Sequence, residues 1–177
     1  MYIIGINAFH GDSSACLLKD GHLIVAAEEE RFRRIKHWAG FPSESIKWCL
    51  HEGGINFEDV EHIALNQNAK ANFGRKILFT LNKRPSLKML FDRFKNKRKR
   101  LNIKDYILKE FPDSKFNGLI HSVEHHTAHL SSAFHVSSFK EAVVVSVDGF
   151  GDFASSAWGI GSGTNIKIDN RIYFPHS

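Results

Sequence analysis

Cysteine is scarce in this sequence. Cys16 and Cys49 are the only two in 177 residues, too few for a disulfide framework, so a reducing, cytoplasmic setting is expected. No run approaches eighteen apolar residues, so no membrane span is expected. The start, Met1-Tyr2-Ile3-Ile4-Gly5, has no basic n-region, which argues against a signal peptide. Internal repeats, cysteine-rich tracts and low-complexity linkers are missing too. What remains is 42% hydrophobic and 24% charged, the composition of a folded chain, with length enough for one domain with a real core.

The net charge of +5 would ordinarily raise nucleic acid as a partner. Its distribution weakens that inference. Of 24 Lys and Arg residues, thirteen fall between 70 and 104, where Asp92 is the lone acid. The rest of the chain carries 11 basic and 18 acidic residues and is acidic overall. Within the basic segment, Leu87, Leu90, Phe91 and Phe94 recur at helical spacing ahead of Lys97-Arg98-Lys99-Arg100. Pro85 and Asn102 supply start and stop signals. Such a helix is either a solvated face or a surface for nucleic acid or anionic lipid.

Hydrophobic patterning predicts strands over 2–7, 13–19 and 22–28, the last two joined by an Asp20-Gly21 hairpin signal. A helix is expected over about 42–52, ended by Gly53-Gly54, then a strand over 60–65. After the basic segment come a helix near 103–110, a strand at 119–123 and a helix at about 125–136. A β-branched strand over 141–147 and two further strands, about 153–160 and 165–173, close the chain. The fold class is α/β, a mixed sheet that starts with a hairpin meander.

Three segments carry chemistry. In Glu124-His125-His126-Thr127-Ala128-His129, His125 and His129 stand at i and i+4, so a helix projects both imidazoles from one face. That spacing suits two ligands of one divalent metal, or else it is incidental in a chain with 11 histidines. Asp148, at the end of the apolar strand, is the best third ligand. His126 points a quarter-turn away and reads as a supporting or substrate contact. In Asn7-Ala8-Phe9-His10-Gly11-Asp12-Ser13-Ser14, the glycine, backbone amides and hydroxyls of Ser13 and Ser14 suit an anion such as phosphate, with His10 as acid or base. A plain polar turn is the alternative. In Val147-Asp148-Gly149-Phe150-Gly151-Asp152 the two acids flank Gly149 and Gly151 in a second turn of the same character. Paired turns of this kind suit a nucleotide phosphate.

The runs 4–15, Ala27-Glu28-Glu29-Glu30-Arg31-Phe32 and Lys36-His37-Trp38-Ala39-Gly40-Phe41-Pro42 resemble the amino-terminal end of O-carbamoyltransferases of nodulation-factor, cephamycin and aminoglycoside pathways. The resemblance resumes over 124–134 and 146–155 and ends in Phe174-Pro175-His176-Ser177. It implies a lobe of the actin and sugar-kinase (ribonuclease H-like) superfold, and an enzyme that moves a carbamoyl group from carbamoyl-adenylate to a hydroxyl of a small-molecule acceptor. Carbamoyl phosphate and ATP would supply the adenylate. By motif, His125, His129 and Asp148 would bind a metal, iron first, with zinc or manganese as alternatives. His10 would be the acid/base at the reacting hydroxyl, with Asp12 supporting it. Ser13, Ser14, Gly149 and Gly151 would line the nucleotide. The stretch 28–37 either shapes the acceptor pocket or is a solvated turn of acids followed by bases. The resemblance also implies that residues 1–177 are the first lobe of a larger domain, with the second lobe and the adenylate-forming domain supplied by the same or another chain. Two other readings compete with it: a binding module for nucleic acid or an anionic surface built on 70–104, and a tRNA-directed threonylcarbamoyl-type transferase.

Overall fold

The structure is a computed structural model that describes residues 1–83 and 103–176. In chain order the elements are β1 (Tyr2–Asn7), β2 (Ser14–Lys19), β3 (His22–Glu28), α1 (Glu30–Arg33), α2 (Ser43–Gly53), a 3₁₀ turn (Phe57–Asp59), β4 (Val60–Leu65), α3 (Phe73–Lys83), α4 (Ile103–Glu110), β5 (Leu119–Ser122), α5 (His125–Phe134), β6 (Glu141–Gly151), β7 (Ala154–Ser162) and β8 (Asn165–Tyr173). The expected helix carrying Leu87, Leu90, Phe91 and Phe94, with its basic end, lies outside the described residues, as does Ser177. Two compact units emerge, one from Met1–Leu65 with the described part of Pro85–His121, the other from the described parts of Asn66–Arg84 and Ser122–Ser177.

The first unit contains a five-stranded sheet in the order β3-β2-β1-β4-β5. Strand β1 pairs antiparallel with β2 on one edge and parallel with β4 on the other, which makes the sheet mixed. The meander depends on the turn after β2, where Asp20 and Gly21 both have positive φ, 51° and 84°. Two successive left-handed residues give the hairpin twist that matches the strands, and Asp-Gly tolerates that conformation. Helix α2 buries Ser45, Ile46, Cys49 and Leu50 at helical spacing and stops at Gly54, whose φ of 60° favours glycine. Its apolar face joins Ile4, Ile6, Leu17, Val60, Ile63 and Ile107 in one core.

The stretch from Glu28 to Arg34 is exposed at Glu28, Arg31, Phe32 and Arg34, with Glu29 as its buried exception. Glu29 is fully buried. Its Oε1 accepts from Arg33 Nε at 2.6 Å and from the Glu44 amide at 3.2 Å. Its Oε2 accepts from the Ser45 amide and the Ser45 hydroxyl, both at 2.8 Å. A helix start leaves its first amides without partners, and here a distant carboxylate supplies them, so Glu29 caps α2 from the end of β3. Arg33 also donates to Ser43 Oγ and lies over the Trp38 ring. Removing one partner of a buried, hydrogen-bonded ion pair costs about 3–5 kcal/mol. Glu29→Ala is therefore expected to lower unfolding stability by about 3 kcal/mol, read by urea denaturation, whereas exposed Glu28→Ala changes it by less than about 0.5 kcal/mol.

The second unit is a three-stranded antiparallel sheet, β6-β7-β8. The strand pattern alone gives no sign that these three leave the first sheet. Helix α5 covers one face through Leu130 and Phe134, which pack on Val144 and Ala157. Gly161 lies directly beneath the Phe134 ring, where a Cβ would have no room. Helix α3 joins this unit through Phe79, whose ring meets Phe153 and Phe174 edge-on at 5.7 and 5.1 Å. Strand β6 runs to Gly151, four residues past the expected end, carrying Asp148 within the strand.

Candidate metal centre

His125 and His129 lie on α5, one turn apart, and Asp148 on β6, all in the second unit. One ligand atom from each lies within 4.8 Å of the others. His125 Nε2 and Asp148 Oδ2 are 2.6 Å apart, the two imidazole Nε2 atoms 3.0 Å, and His129 Nε2 and Asp148 Oδ2 3.4 Å. His125 is largely buried, while His129 and Asp148 open to solvent. A cation there would have one rigid inner ligand and two reachable outer ones. Two imidazole nitrogens and one carboxylate oxygen form a mixed set that suits iron, zinc or manganese better than calcium or magnesium. The residues present therefore fit a divalent transition metal.

The placement of these groups has identifiable causes. Glu124 is the N-cap of α5, and its Oε2 accepts from the Thr127 amide at 2.9 Å and the Thr127 hydroxyl at 2.8 Å. Burial pushes the Glu124 carboxyl up, but the Thr127 donors and the Arg171 guanidinium outweigh it and hold the pKa below the ordinary value. Asp152 does the rest. Its Oδ2 accepts from the His125 amide at 2.9 Å and the Asn68 amide at 2.8 Å, and its backbone carbonyl accepts from Asn72 Nδ2 at 2.9 Å. One carboxylate thus ties the start of the histidine helix to the turn after β6. Gly151 lies against the His125 ring, where any Cβ would overlap Cδ2 and Cγ. His126 is fully buried, its Nδ1 paired with Ser146 Oγ at 2.9 Å. It braces α5 on β6.

The turn after β1 belongs to the first unit. Phe9 and Asp12 both have positive φ there, 68° and 62°. Ser13 is buried, and its hydroxyl donates to the Gly40 carbonyl at 2.9 Å and the His10 carbonyl at 3.2 Å, so it fastens the turn to the 34–42 connection. Asp12 Oδ1 pairs with His37 Nδ1 at 2.9 Å. The Asp12 carboxylate raises the His37 pKa above its ordinary value. Ser14 sits in β2 opposite Asn7 and Glu28. His10 is half-buried in the same turn. Gly149 is exposed, its amide donating to Asp148 Oδ1 at 2.6 Å.

Sequence reasoning singled out His125, His129 and Asp148 and missed what fixes them. The signal for the Glu124 cap was readable as an acceptor three residues ahead of Thr127. Nothing in the sequence pairs Asp152 with the amides of Asn68 and His125, which are 84 and 27 residues away.

Comparison with known proteins places this architecture. The fold is similar to that of YeaZ from Pseudomonas aeruginosa, with a TM-score of 0.51 at 10% identity, over 99% of this chain and 68% of that one. It is the mixed α/β, actin-like fold expected from the sequence. A family model for the carbamoyltransferase N-terminus matches residues 2–177. The nodulation protein NolNO of Sinorhizobium fredii is 34% identical over 91% of this chain and 23% of its own length. An uncharacterized protein of Synechocystis is also 34% identical, over 99% of this chain and 30% of its own length. The chain belongs to the carbamoyltransferase family, as its amino-terminal part. It spans less than a third of the length of these curated relatives. No described helix is long and apolar enough to cross a membrane.

Two outcomes follow from the geometry. Both bonds to the Asp152 side chain end on a single oxygen, so an amide oxygen can replace it. Asp152→Asn should keep metal affinity within a few-fold, while Asp152→Ala should lower it about 10- to 100-fold, measured by competition with a chelating dye. The second concerns acid. Contact with His125 holds the Asp148 carboxyl down to about 2. A lowered folded-state pKa contributes stability above the unfolded value and loses it only as pH falls through the folded one, here between about 4 and 2. Asp148→Asn should remove that part of the acid dependence, so the unfolding stability of the variant falls less than that of the parent as pH is lowered from about 4 to 2, read by urea denaturation.

Proposed function

We propose that this chain is the amino-terminal part of a metal- and ATP-dependent O-carbamoyltransferase acting on a hydroxylated small molecule in the cytoplasm. The observation that carries the reading is the His125, His129 and Asp148 cluster within a carbamoyltransferase N-terminus. Iron is the first candidate for the cation, then zinc or manganese. Bound by these three residues, a cation would act as a Lewis acid toward the carbamoyl donor.

The reaction joins the acceptor oxygen to the carbamoyl carbon and breaks the bond from that carbon to the adenylate phosphate, so AMP leaves. The hydroxyl proton goes to a base, and His10 is the residue proposed for it, in a turn fixed by Ser13 and by the Asp12–His37 pair. Ser13 has its hydroxyl turned to the Gly40 and His10 carbonyls and its amide donating to the Trp38 carbonyl at 3.0 Å, so it holds the turn and the proposed phosphate contact falls to Ser14. Gly149 offers an exposed position near the end of β6, and Gly151 acts through the His125 ring it admits. The adenylate itself would be made from carbamoyl phosphate and ATP by the remainder of the enzyme.

The test uses the full-length protein. Metal analysis should find about one equivalent of divalent transition metal, lost from His125→Ala and His129→Ala. With carbamoyl phosphate, ATP and a panel of sugar, aminoglycoside and tRNA acceptors, the enzyme should release AMP and form a carbamate on one of the small molecules. His10→Ala should slow transfer about 10²- to 10⁴-fold while leaving metal content unchanged. A metal-free full-length protein that carbamoylates no acceptor would sink the reading.

A further inference from the structure

A groove of about 600 Å³ runs between α3 and strands β7 and β8, wholly inside the second unit. That volume lies in the range of sites for small organic ligands. Aromatic rings build its walls. Phe79 from α3 meets Phe153 and Phe174, and the rings of those two lie 5.6 Å apart. Trp158 from β7 and Tyr173 from β8 add two more rings to the lining. An aromatic face takes up a sugar or another flat ring well, because it offers a large apolar area with little conformational freedom to lose.

Charge in the groove has one sign. Arg75 and Arg171 both line it, and no Asp or Glu is among the described residues that do. The two guanidiniums differ in what they already hold. Arg171 is tied to Glu124 at 3.3 Å, which fixes it and offsets its charge. Among the described residues, acids pair with Arg31, Arg33 and Arg171 and leave Arg75 without one. Its guanidinium lies over the Tyr173 ring, 4.9 Å from the centroid. Stacking restrains a planar guanidinium without using its N–H donors, a state suited to binding a carboxylate or phosphate. The groove also adjoins the candidate metal centre. Asp152, whose carboxylate holds the His125 amide, accepts at its carbonyl from Asn72, just before α3, and is followed in the chain by Phe153.

We propose that this groove binds a small molecule that combines a ring with an apolar face and a phosphate or carboxylate group. Arg75 takes the anion, and Trp158 and Tyr173 take the ring. A cationic ligand finds two guanidiniums and no acid there, so like-charge repulsion selects against it. An acceptor of the proposed transfer and an effector that binds beside the centre would be recognised by the same chemistry. The site itself rests on the groove and its charge, and it holds whichever reaction the metal centre serves.

Titration calorimetry on the full-length protein tests it, with glucose 1-phosphate, glucuronate, glucose and glucosamine as probes. The two anions should bind at least about 10-fold more tightly than glucose, and glucosamine more weakly than glucose. Arg75→Gln should abolish that preference, while Arg75→Lys, which keeps the charge and loses the planar fork, should retain part of it. Arg75 is exposed, so both variants should fold and keep the metal content of the parent. Equal affinity for glucose and its phosphate, or a preference that survives in Arg75→Gln, would overturn the proposal. Offering the bound anions together with carbamoyl phosphate and ATP separates the two sources: a carbamate on the sugar marks an acceptor, and binding without modification marks an effector. Affinity is read with no carbamoyl donor present, so failure of the proposed transfer leaves this result intact.

Discussion

Everything at the candidate centre depends on the carboxylate of Asp152. A single oxygen of this side chain accepts the first amide of the histidine helix and an amide from the segment after β4. It joins the start of α5 to the end of β6, beside the His126–Ser146 contact. The 2.6 Å approach of His125 to Asp148 is possible because both residues leave elements that Asp152 joins. Glu124, with its hydroxyl and amide partners from Thr127, sets the same helix end from the other side. His125, His129 and Asp148 are therefore arranged by hydrogen bonds to backbone, the kind of support that a metal site requires.

The same device appears in the other unit. Glu29 caps α2 from the end of β3, much as Asp152 caps α5 from the end of β6. Each unit thus has a meander, a helix that covers it, and a carboxylate from the strand side satisfying the helix's first amides. A buried carboxylate is costly unless its oxygens are filled, and at Glu29 four donors fill them. This turns an expensive group into one that specifies where the helix begins. Within the acidic run from Glu28 to Glu30, it is Glu29 that belongs to the scaffold, while Glu28 stays exposed.

Much of the fold was legible in the sequence because it rests on local rules. The period-two strands, the Asp20-Gly21 turn and the Gly54 stop each follow from residue type and spacing, and the observed boundaries lie within a few residues of the expected ones. Helix α1 was not legible, since four residues carry no periodicity. The division of eight strands into two sheets was not legible either, because pairing is decided between segments far apart in the chain. Among site residues, His125 and His129 announce themselves by i, i+4 spacing. Asp148 follows from the end of an apolar run.

The sequence by itself determined the element types, the concentration of positive charge between 70 and 104 on an otherwise acidic chain, and the family, since all of these depend on residue identity and order. Tertiary structure decided which polar groups serve the scaffold and which face the chemistry. Ser13, Asp12 and Glu29 looked equally available in the sequence, but the first two bond Gly40 and His37 and the third is buried beneath a helix start. The scarcity of cysteine pointed away from covalent cross-links, and the structure shows what replaces them: carboxylates bonded to backbone amides across long stretches of chain. Those pairings arise only when distant segments fold together, because a carboxylate has no sequence pattern that marks which amides it will meet.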